Sequence, residues 1–596
     1  MCGIFAILSK TNLSSNDKRL GEQGTYELHH RGPDHSCIWT NDENLLIGHT
    51  RLSIVDLTNK SDQPMTRHGH TIAFNGEIYN YLEIRKQLSL LGYVFNSSGD
   101  TEVFLYAWIE WGQKAFDKID GMFSVVLWDG EKLLLATDPF GEKTLYYAVQ
   151  GEKVFISSEL SVLVDLLNLT PSDDQLLSIK FLIKGYIPAP ETMYKNTFKM
   201  KSAEVIIIKN GRVLNKSTYW NIPKIAEGKT RKISKKSTQK ILDVLIESIE
   251  SRLNADVPMC LFLSSGIDSS LIAAIIKLEL NREIDTLTVS FDPNNKHSEC
   301  NHANQVANYL GLNHTCLNVD SSNHNNIANE IIDLYGQPFD TLTALAIMDM
   351  SDAASKRYKV GITGFGGDEV FMGYGKHYFA YKYRHLLNSN SQFKSLAGLF
   401  SKHLFSNKSV INKWMLNLIN VKDHEKYTAM KIFPLLSDLR SLKGLDTILK
   451  NDYSQKINIE NLTYYEEIAK VMPDSRCISL DLGSMHSSFE MRTPFLSRKL
   501  VETVNQYGLG AFIHSGQKQF LRSLLGNYLP NSLIDRPKKG FIFPQEWVIN
   551  QYNEKNLITF LPDSMKDIKA MSSKGGNWKR MAVRIAILNS YKSRFL

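Results

Sequence analysis

Two stretches of the sequence hold residues whose types and spacing could do chemistry, and the first is the amino terminus, Met1-Cys2-Gly3. Methionine is removed before small residues, so we expect Cys2 to become the first residue of the mature chain. A terminal cysteine carries a thiol and a free amine, and an amine with a pKa of about 8 can act as the base that activates the thiol. The arrangement predicts a nucleophile for acyl transfer. Taken alone, an ordinary cysteine at the second position is the alternative.

The second stretch is 261–270, with the sequence LFLSSGIDSS. A short apolar run ends in small hydroxyl residues and one glycine, and an apolar segment of helical character follows, which predicts a strand, a tight turn and a helix. The hydrogen-bond donors of the turn, at the positive end of the helix, would face an anion. Asp268 lies among these donors, and because its carboxylate would repel an anion, we expect a cation to be bound together with the anion. Pyrophosphate with Mg²⁺ fits both, and a helix N-cap without a ligand is the alternative. The hydroxyl donors are those of Ser264, Ser265, Ser269 and Ser270.

The elements that must position these stretches differ between the two halves of the chain. The first half is rich in β-type runs separated by glycine and Asp-Pro, and the predicted strands are 71–74, 123–128, 132–137 and 145–148. From residue 241, helices alternate with short apolar strands, an order typical of a parallel sheet that binds ligands at the carboxyl ends of its strands. The basic run at 224–240 predicts a solvated linker rather than an RNA contact.

Length and composition narrow the class of protein. At 596 residues, with 43% apolar and 22% charged residues, the chain has the composition of a soluble protein of two or three domains. The net charge of +7, from 69 basic and 62 acidic residues, is a thin surplus that does not indicate nucleic acid. No apolar run approaches the roughly 20 residues of a membrane span. Because the cysteines show no CxxC pair and no disulfide framework, we expect a cytoplasmic protein in a reducing compartment.

Further motifs follow the amino-terminal pattern in order along the chain. They are MCGIFAI at 1–7, HRGPD at 30–34, GHTRLSIVD at 48–56, FNGEIYN at 74–80 and SGDTE at 98–102. The opening resembles the class II glutamine amidotransferases, and together with the serine-rich loop the chain is similar to the glutamine-hydrolysing asparagine synthetases. The resemblance runs from residue 2 to about residue 550. It implies a glutaminase domain at 2–215, a linker at 216–240 and a synthetase domain at 241–596.

The fold class implied by the resemblance is α+β and α/β. The first domain would be an Ntn-type α/β/β/α sandwich, and the second a parallel-sheet α/β ATP-pyrophosphatase domain with added helices. In the glutaminase domain, the resemblance makes Cys2 the nucleophile. Asn75 and Gly76, expected in a turn after the strand 71–74, would form the oxyanion hole. Arg51 would bind the α-carboxylate of glutamine, and Asp100 with Glu77 would accept hydrogen bonds from its α-ammonium.

The same resemblance implies an ATP site in the second domain. Asp268 and Asp368 would hold Mg²⁺ on the pyrophosphate, and Lys518 would neutralise charge on the adenylate and the pyrophosphate. The residues expected to bind ATP are Leu263, Ser264, Ser265, Gly266, Asp268, Ser269, Val289, Ser290, Thr363 and Gly364. The implied reaction is amide ligation, in which ammonia from glutamine reaches a carboxylate activated as its acyl-adenylate and AMP and pyrophosphate are released. The implied partners are glutamine, ATP, a carboxylate acceptor and a second copy of the chain in a homodimer.

One departure from the family pattern concerns the acceptor. Phe365 lies in the sequence GFGGDE at 364–369, where asparagine synthetases commonly carry Asp or Glu. A phenyl ring cannot do acid–base work, and it makes the pocket more apolar. Two acceptors therefore stay open, aspartate or another carboxylate such as a uronic acid in surface polysaccharide biosynthesis. A non-catalytic regulatory protein is the alternative outside the enzyme class, against which the complete set of site residues argues.

A second constellation competes with this interpretation. Cys300-x-His302 and His314-x-Cys316 have the residue types of a tetrahedral zinc site. The same stretch is similar to a family helix and turn that carry no metal, and we therefore favour a structural role for it.

Overall fold

A computed structural model describes residues 2–226, 233–264, 266–290, 299–319, 324–388, 435–439, 442–443, 445–449, 457–514, 516–535, 545–552 and 558–596. Ser265 of the predicted ATP site and residues 227–232 of the basic run at 224–240 lie outside the described residues. In the described part of the chain, no helix combines the length and the apolar character needed to cross a membrane.

Two stacked antiparallel sheets form the centre of the first half. Their strands are β1 (Cys2–Ser9), β2 (His35–Thr40), β3 (Leu45–Arg51), β4 (Met65–Arg67), β5 (His70–Ile78), β6 (Gly121–Trp128), β7 (Leu133–Thr137), β8 (Tyr146–Gln150), β9 (Lys153–Ser157), β10 (Thr197–Lys199), β11 (Glu204–Lys209) and β12 (Arg212–Thr218). One sheet has the order β10-β8-β9-β1-β3-β2 and the other β12-β11-β7-β6-β5-β4.

Strand periodicity explains the layers around these sheets. Successive side chains of β1 point to opposite faces, so Ile4 packs between the two sheets while Phe5 packs against the helical layer. Helices cover both outer faces: α1 (Ser15–Glu27), α2 (Tyr81–Leu90), α3 (Asp100–Trp111), α4 (Ala115–Lys118), α5 (Leu160–Leu167) and α6 (Gln175–Lys184). The predicted α/β/β/α sandwich is confirmed.

The second half is built on a parallel sheet of five strands. They are β13 (Met259–Phe262), β14 (Asp285–Ser290), β15 (His314–Asn318), β16 (Val360–Ile362) and β17 (Glu490–Arg492), in the order β15-β14-β13-β16-β17. Every neighbouring pair is parallel. This confirms the parallel sheet that the alternation of helices and strands predicts.

Many helices surround this sheet, as the resemblance implies. The first are α7 (Lys235–Arg252), α8 (Ile267–Ala274), α9 (Glu299–Leu310), α10 (Ile327–Tyr335), α11 (Thr343–Ser355), α12 (Gly367–Val370), α13 (Gly375–Lys382) and α14 (Arg384–Leu387). Further helices are Leu436–Leu439, Leu445–Leu449, Ile459–Glu466, Cys477–Met485, Arg498–Asn505, Gly510–Ile513, Gln519–Leu525, Asn531–Ile534, Gln545–Gln551, Ile568–Ser573 and Gly576–Phe595. Helix α7 begins inside the basic run because Ser234 caps it by accepting a hydrogen bond from the Ser237 N–H.

Two cysteines of the second half are joined. Cys300 at the start of α9 and Cys316 in β15 form a disulfide, with their Cα atoms 5.8 Å apart. The prediction that the cysteines form no disulfide framework is therefore wrong for this pair, because the turn between helix and strand brings two distant positions together. The bonded sulfurs are not available as zinc ligands. Among the described residues, no group of three or more metal-binding side chains forms.

Candidate active sites

The amino-terminal cysteine lies where three strands meet. Cys2 begins β1 and lies opposite Arg51 of β3, and its backbone N–H donates a hydrogen bond of 2.9 Å to Asn75 Oδ1 of β5. Burial raises the pKa of the Cys2 thiol, and the Leu52 N–H and the Arg51 charge oppose this only in part. The thiol is therefore protonated at neutral pH and needs a base before it can act as a nucleophile.

Asn75 and Gly76 do not lie in a turn. The prediction of a turn is wrong, because β5 continues to Ile78 and pairs with β6 through Asn75 opposite Ser124 and Gly76 opposite Phe123. Pairing with a neighbouring strand overrides the local turn preference of an Asn-Gly sequence. Gly76 has a φ of 150°, and a Cβ there would lie 2.0 Å from the Met122 carbonyl oxygen, so this position requires glycine.

A small cavity beside Cys2 gathers the predicted glutamine-binding residues. Arg51 donates to Asp62 Oδ1 and to the Thr58 carbonyl, both at 2.8 Å, and these bonds fix its guanidinium. Asp100 Oδ2 accepts from the Ile78 N–H at 2.9 Å, and burial raises its pKa to about 6. The residues that line the cavity are Cys2, Arg51, Leu52, Ile54, Val55, Ser61, Gln63, Phe74, Gly76, Glu77, Asp100 and Thr101. A cation and two carboxylates thus face one space beside a thiol.

Asp481 of the second half is linked to Cys2 through Arg31, a connection that the sequence analysis missed. Arg31 Nε donates to the Cys2 carbonyl at 3.0 Å, and its Nη2 pairs with Asp481 at 2.8 Å. Asp481 also pairs with Lys143 at 2.7 Å, and all three side chains are buried. The signal for Arg31 was present in the HRGPD motif. Its partner is 450 positions away, which no local pattern reveals.

The serine-rich loop of the second half follows β13 and leads into α8. Ser269 Oγ accepts from the Ser264 N–H at 3.1 Å, and Ser264 Oγ accepts from the Gly266 N–H at 3.1 Å. The hydroxyls therefore hold the loop itself in shape. Gly364 lies tight against it, since a Cβ there would be 2.9 Å from the Asp268 Cβ.

Three charged residues from distant parts of the chain converge beside this loop. Lys518 Nζ bonds Asp268 Oδ2 and lies 2.8 Å from Asp368 Oδ1. Two carboxylates that share one ammonium raise its pKa. Mg²⁺ is usually held by one or two carboxylates together with substrate phosphates, so the donors of Asp268 and Asp368 fit that ion.

A cavity of about 290 Å³ opens at the carboxyl ends of β13, β14 and β16. Seven predicted ATP-site residues line it: Leu263, Ser264, Asp268, Ser269, Val289, Thr363 and Gly364. Gly266 and Ser290 are not among the lining residues. The lining that sequence reasoning missed is mostly apolar and includes Phe262, Leu287, Ile347, Met350, Leu480 and Met491. Phe365 is part of this wall, as expected of a residue that makes the pocket more apolar.

Comparison with known proteins matches the two halves of the chain to two different family models. Residues 1–220 match the family model described as a glutamine amidotransferase domain, and residues 240–566 match the model described as asparagine synthase. The asparagine synthetase [glutamine-hydrolyzing] 1 of Bacillus subtilis is 28% identical over 582 residues, which is 94% of this chain and 90% of the relative. The asparagine synthetase [glutamine-hydrolyzing] 3 of the same organism is 26% identical, over 91% of this chain and 87% of the relative. Amidase chry2 of Gibberella zeae is 27% identical, over 63% of this chain and 59% of the relative.

Proposed function

The chain belongs to the asparagine synthase family, and from that premise we propose that it is an asparagine synthetase that uses glutamine, ATP and aspartate. The observation that carries the proposal is that one chain holds two separate groups of reactive and charged side chains, each beside a cavity. Cys2 lies beside a cavity that presents a fixed cation and two carboxylates, and Lys518 lies beside a larger cavity with Asp268 and Asp368. The two asparagine synthetases of Bacillus subtilis match this chain over both of its halves.

The first set supports glutamine hydrolysis. Arg51 binds the α-carboxylate of glutamine, and Asp100 and Glu77 accept from its α-ammonium, which places the amide carbon at the Cys2 sulfur. The free amine left by removal of Met1 takes the thiol proton, the sulfur attacks the carbonyl, and ammonia leaves with that proton. Water then hydrolyses the thioester to glutamate. Asn75 and Gly76 supply donors for the oxyanion.

The second set supports activation of the acceptor. The apolar wall of the large cavity accommodates adenine, and the serine-rich loop and Lys518 face the phosphates. The acceptor carboxylate attacks the α-phosphorus, pyrophosphate leaves, and ammonia then displaces AMP from the acyl group. Mg²⁺, held by Asp268 and Asp368, would neutralise charge on the pyrophosphate.

The test is a single incubation with glutamine labelled with ¹⁵N at its amide, Mg-ATP and aspartate. We expect ¹⁵N-asparagine to appear in step with pyrophosphate, AMP and glutamate, as followed by mass spectrometry. Cys2→Ala is the matched variant, because it should make asparagine only when ammonium is added. Formation of glutamate with neither asparagine nor pyrophosphate would contradict aspartate as the acceptor.

Phe365 favours a second candidate, the same ligation on a different carboxylate. An apolar side chain at the cavity wall suits an acceptor larger and less charged near its carboxylate than aspartate. The specific candidate is a nucleotide-linked uronic acid, which would become its amide. Pyrophosphate release that depends on the uronic acid and not on aspartate would establish it.

A further inference from the structure

The edge strand β17 of the parallel sheet contacts both candidate sites. Its three residues are buried and alternate in direction, as in any strand. Met491 lines the large cavity of the second half. Glu490 and Arg492 point to the other side, where the Arg492 guanidinium lies 3.3 Å from Glu77 Oε1 at the glutamine cavity. A strand of the synthetase half thus places a charged side chain at the edge of the glutaminase site.

Arg492 is held in one orientation. Its Nη1 donates to the carbonyls of Arg252 at 2.9 Å and Asn254 at 2.6 Å, and its Nε donates to Glu490 Oε1 at 2.6 Å. The side chain is fully buried. The remaining nitrogen, Nη2, makes no hydrogen bond to the described residues and lies within ion-pair distance of Glu77 Oε1, at 3.3 Å. A guanidinium fixed by three bonds positions a partner without losing further side-chain entropy.

Glu77 needs such a partner, because its surroundings disfavour its charge. Burial raises the pKa of Glu77 well above its usual range, and the neighbouring carboxylates of Glu490 and Asp100 raise it further. The charge of Arg492 is the strongest opposing influence, assisted by the amino-terminal charge, and together they offset the rise in the pKa of Glu77 only in part. A neutral Glu77 would be a poor acceptor for an ammonium group, whereas an ionised one forms a charge-assisted hydrogen bond.

We propose that Arg492 is a positioning residue of the glutaminase reaction, which favours the ionised form of Glu77 and keeps its carboxylate in place to receive the α-ammonium of glutamine. The inference rests on the proposed function, since it assumes that glutamine binds beside Cys2. It assigns part of the glutamine site to the synthetase domain. Arg492 acts through Glu77 and does not touch the reacting amide.

The test compares glutamine with glutaramate, which is glutamine without its α-amino group. Arg492→Gln should lower kcat/KM for glutamine by about 10- to 100-fold, mainly through KM, because one charged hydrogen bond to the substrate is lost. Hydrolysis of glutaramate should be unchanged, because it has no ammonium to bind. Arg492→Lys keeps the charge and should give an intermediate loss. In Arg492→Gln, the acidic limb of kcat/KM for glutamine should move to higher pH, since Glu77 then faces Glu490 and Asp100 without the guanidinium.

Two controls separate positioning from folding. Ammonium-dependent synthesis should be retained in Arg492→Gln, and Lys199→Met, which removes the buried pair with Asp474 at 2.7 Å, should not alter the ratio of glutamine to glutaramate hydrolysis. An equal loss on both substrates in Arg492→Gln would overturn the proposal. If that variant does not fold, Glu77→Gln decides, because an unchanged substrate ratio in it would equally refute the role of the pair. Failure of the wild-type protein to hydrolyse glutamine would instead refute the proposed function.

Discussion

The two candidate sites of this chain are built in different ways. The glutamine cavity has a volume of about 30 Å³ and lies among paired strands, where each charged group is fixed by a neighbour, as Arg51 is by Asp62 and Glu77 by Arg492. The cavity of the second half is about 290 Å³, and its described lining is mostly apolar. We therefore expect specificity in the first site to arise from fixed charges. In the second we expect it to arise from the shape of the cavity and from a small group of charges at one end.

The largest expected effect is that of Cys2→Ala, which should separate the two sites completely. Glutamine-dependent synthesis should fall by at least about 1,000-fold, because no other group can form the thioester. Ammonium-dependent synthesis should remain within about twofold of wild type. Rates with each nitrogen donor would be measured by amide product formation. Loss of both activities would show that the two sites are not independent.

Lys518→Met should impair synthesis and leave glutamine hydrolysis intact, the reverse of the effect of Cys2→Ala. Removing the ammonium takes away the cation that bridges Asp268 and Asp368 and would face the phosphates, so pyrophosphate release should fall by about 100- to 1,000-fold. Hydrolysis of glutamine should continue. Pyrophosphate and glutamate, measured in the same reaction, check this, and normal pyrophosphate release would remove Lys518 from the site.

The pH dependence should also differ between the sites. Burial raises the pKa of Asp100 to about 6, so the carboxylate is ionised at pH 7 and gains a proton as the pH falls through 6. The protonated form cannot accept from the glutamine ammonium, so kcat/KM for glutamine should fall about tenfold per pH unit below that value. Ammonium-dependent synthesis should not share this limb once the free ammonia is held constant. Asp100→Asn should remove the contribution of Asp100 and make the limb shallower, and an unchanged limb would assign it to Glu77 alone.

The smallest effect is expected at Phe365. Phe365→Leu keeps the wall of the large cavity apolar but removes ring contacts, and KM for ATP or the acceptor should rise by about two- to tenfold. Glutamine hydrolysis without ATP should be unchanged. Steady-state kinetics with each substrate varied in turn would measure this. A change in glutaminase activity as large as that in synthesis would contradict the division between a charged site and an apolar one.

Particular elements show which features of the fold and of the sites could be predicted from the sequence. Cys2, Arg51 and Asp100 line the same cavity, and each belongs to a short motif at the end of a strand or helix. Such motifs can be recognised in the sequence before the fold is known. The turn predicted at Asn75 and Gly76 was wrong, since the pairing of β5 with β6 could not be read from β5 alone. Strand β17 has three residues, two of them charged, and no periodicity analysis would identify it.

The chain's own sequence determined the chemistry, because the nucleophile, the charged groups and the serine-rich loop are encoded in short segments whose residue types limit what they can do. It also determined the two kinds of sheet, since the spacing of apolar residues differs between paired antiparallel strands and buried parallel ones. Only the tertiary structure decided which charges face each other. The pairs Arg31 with Asp481 and Glu77 with Arg492 join residues hundreds of positions apart, and their energies depend on burial and distance, which exist only after the two halves pack together.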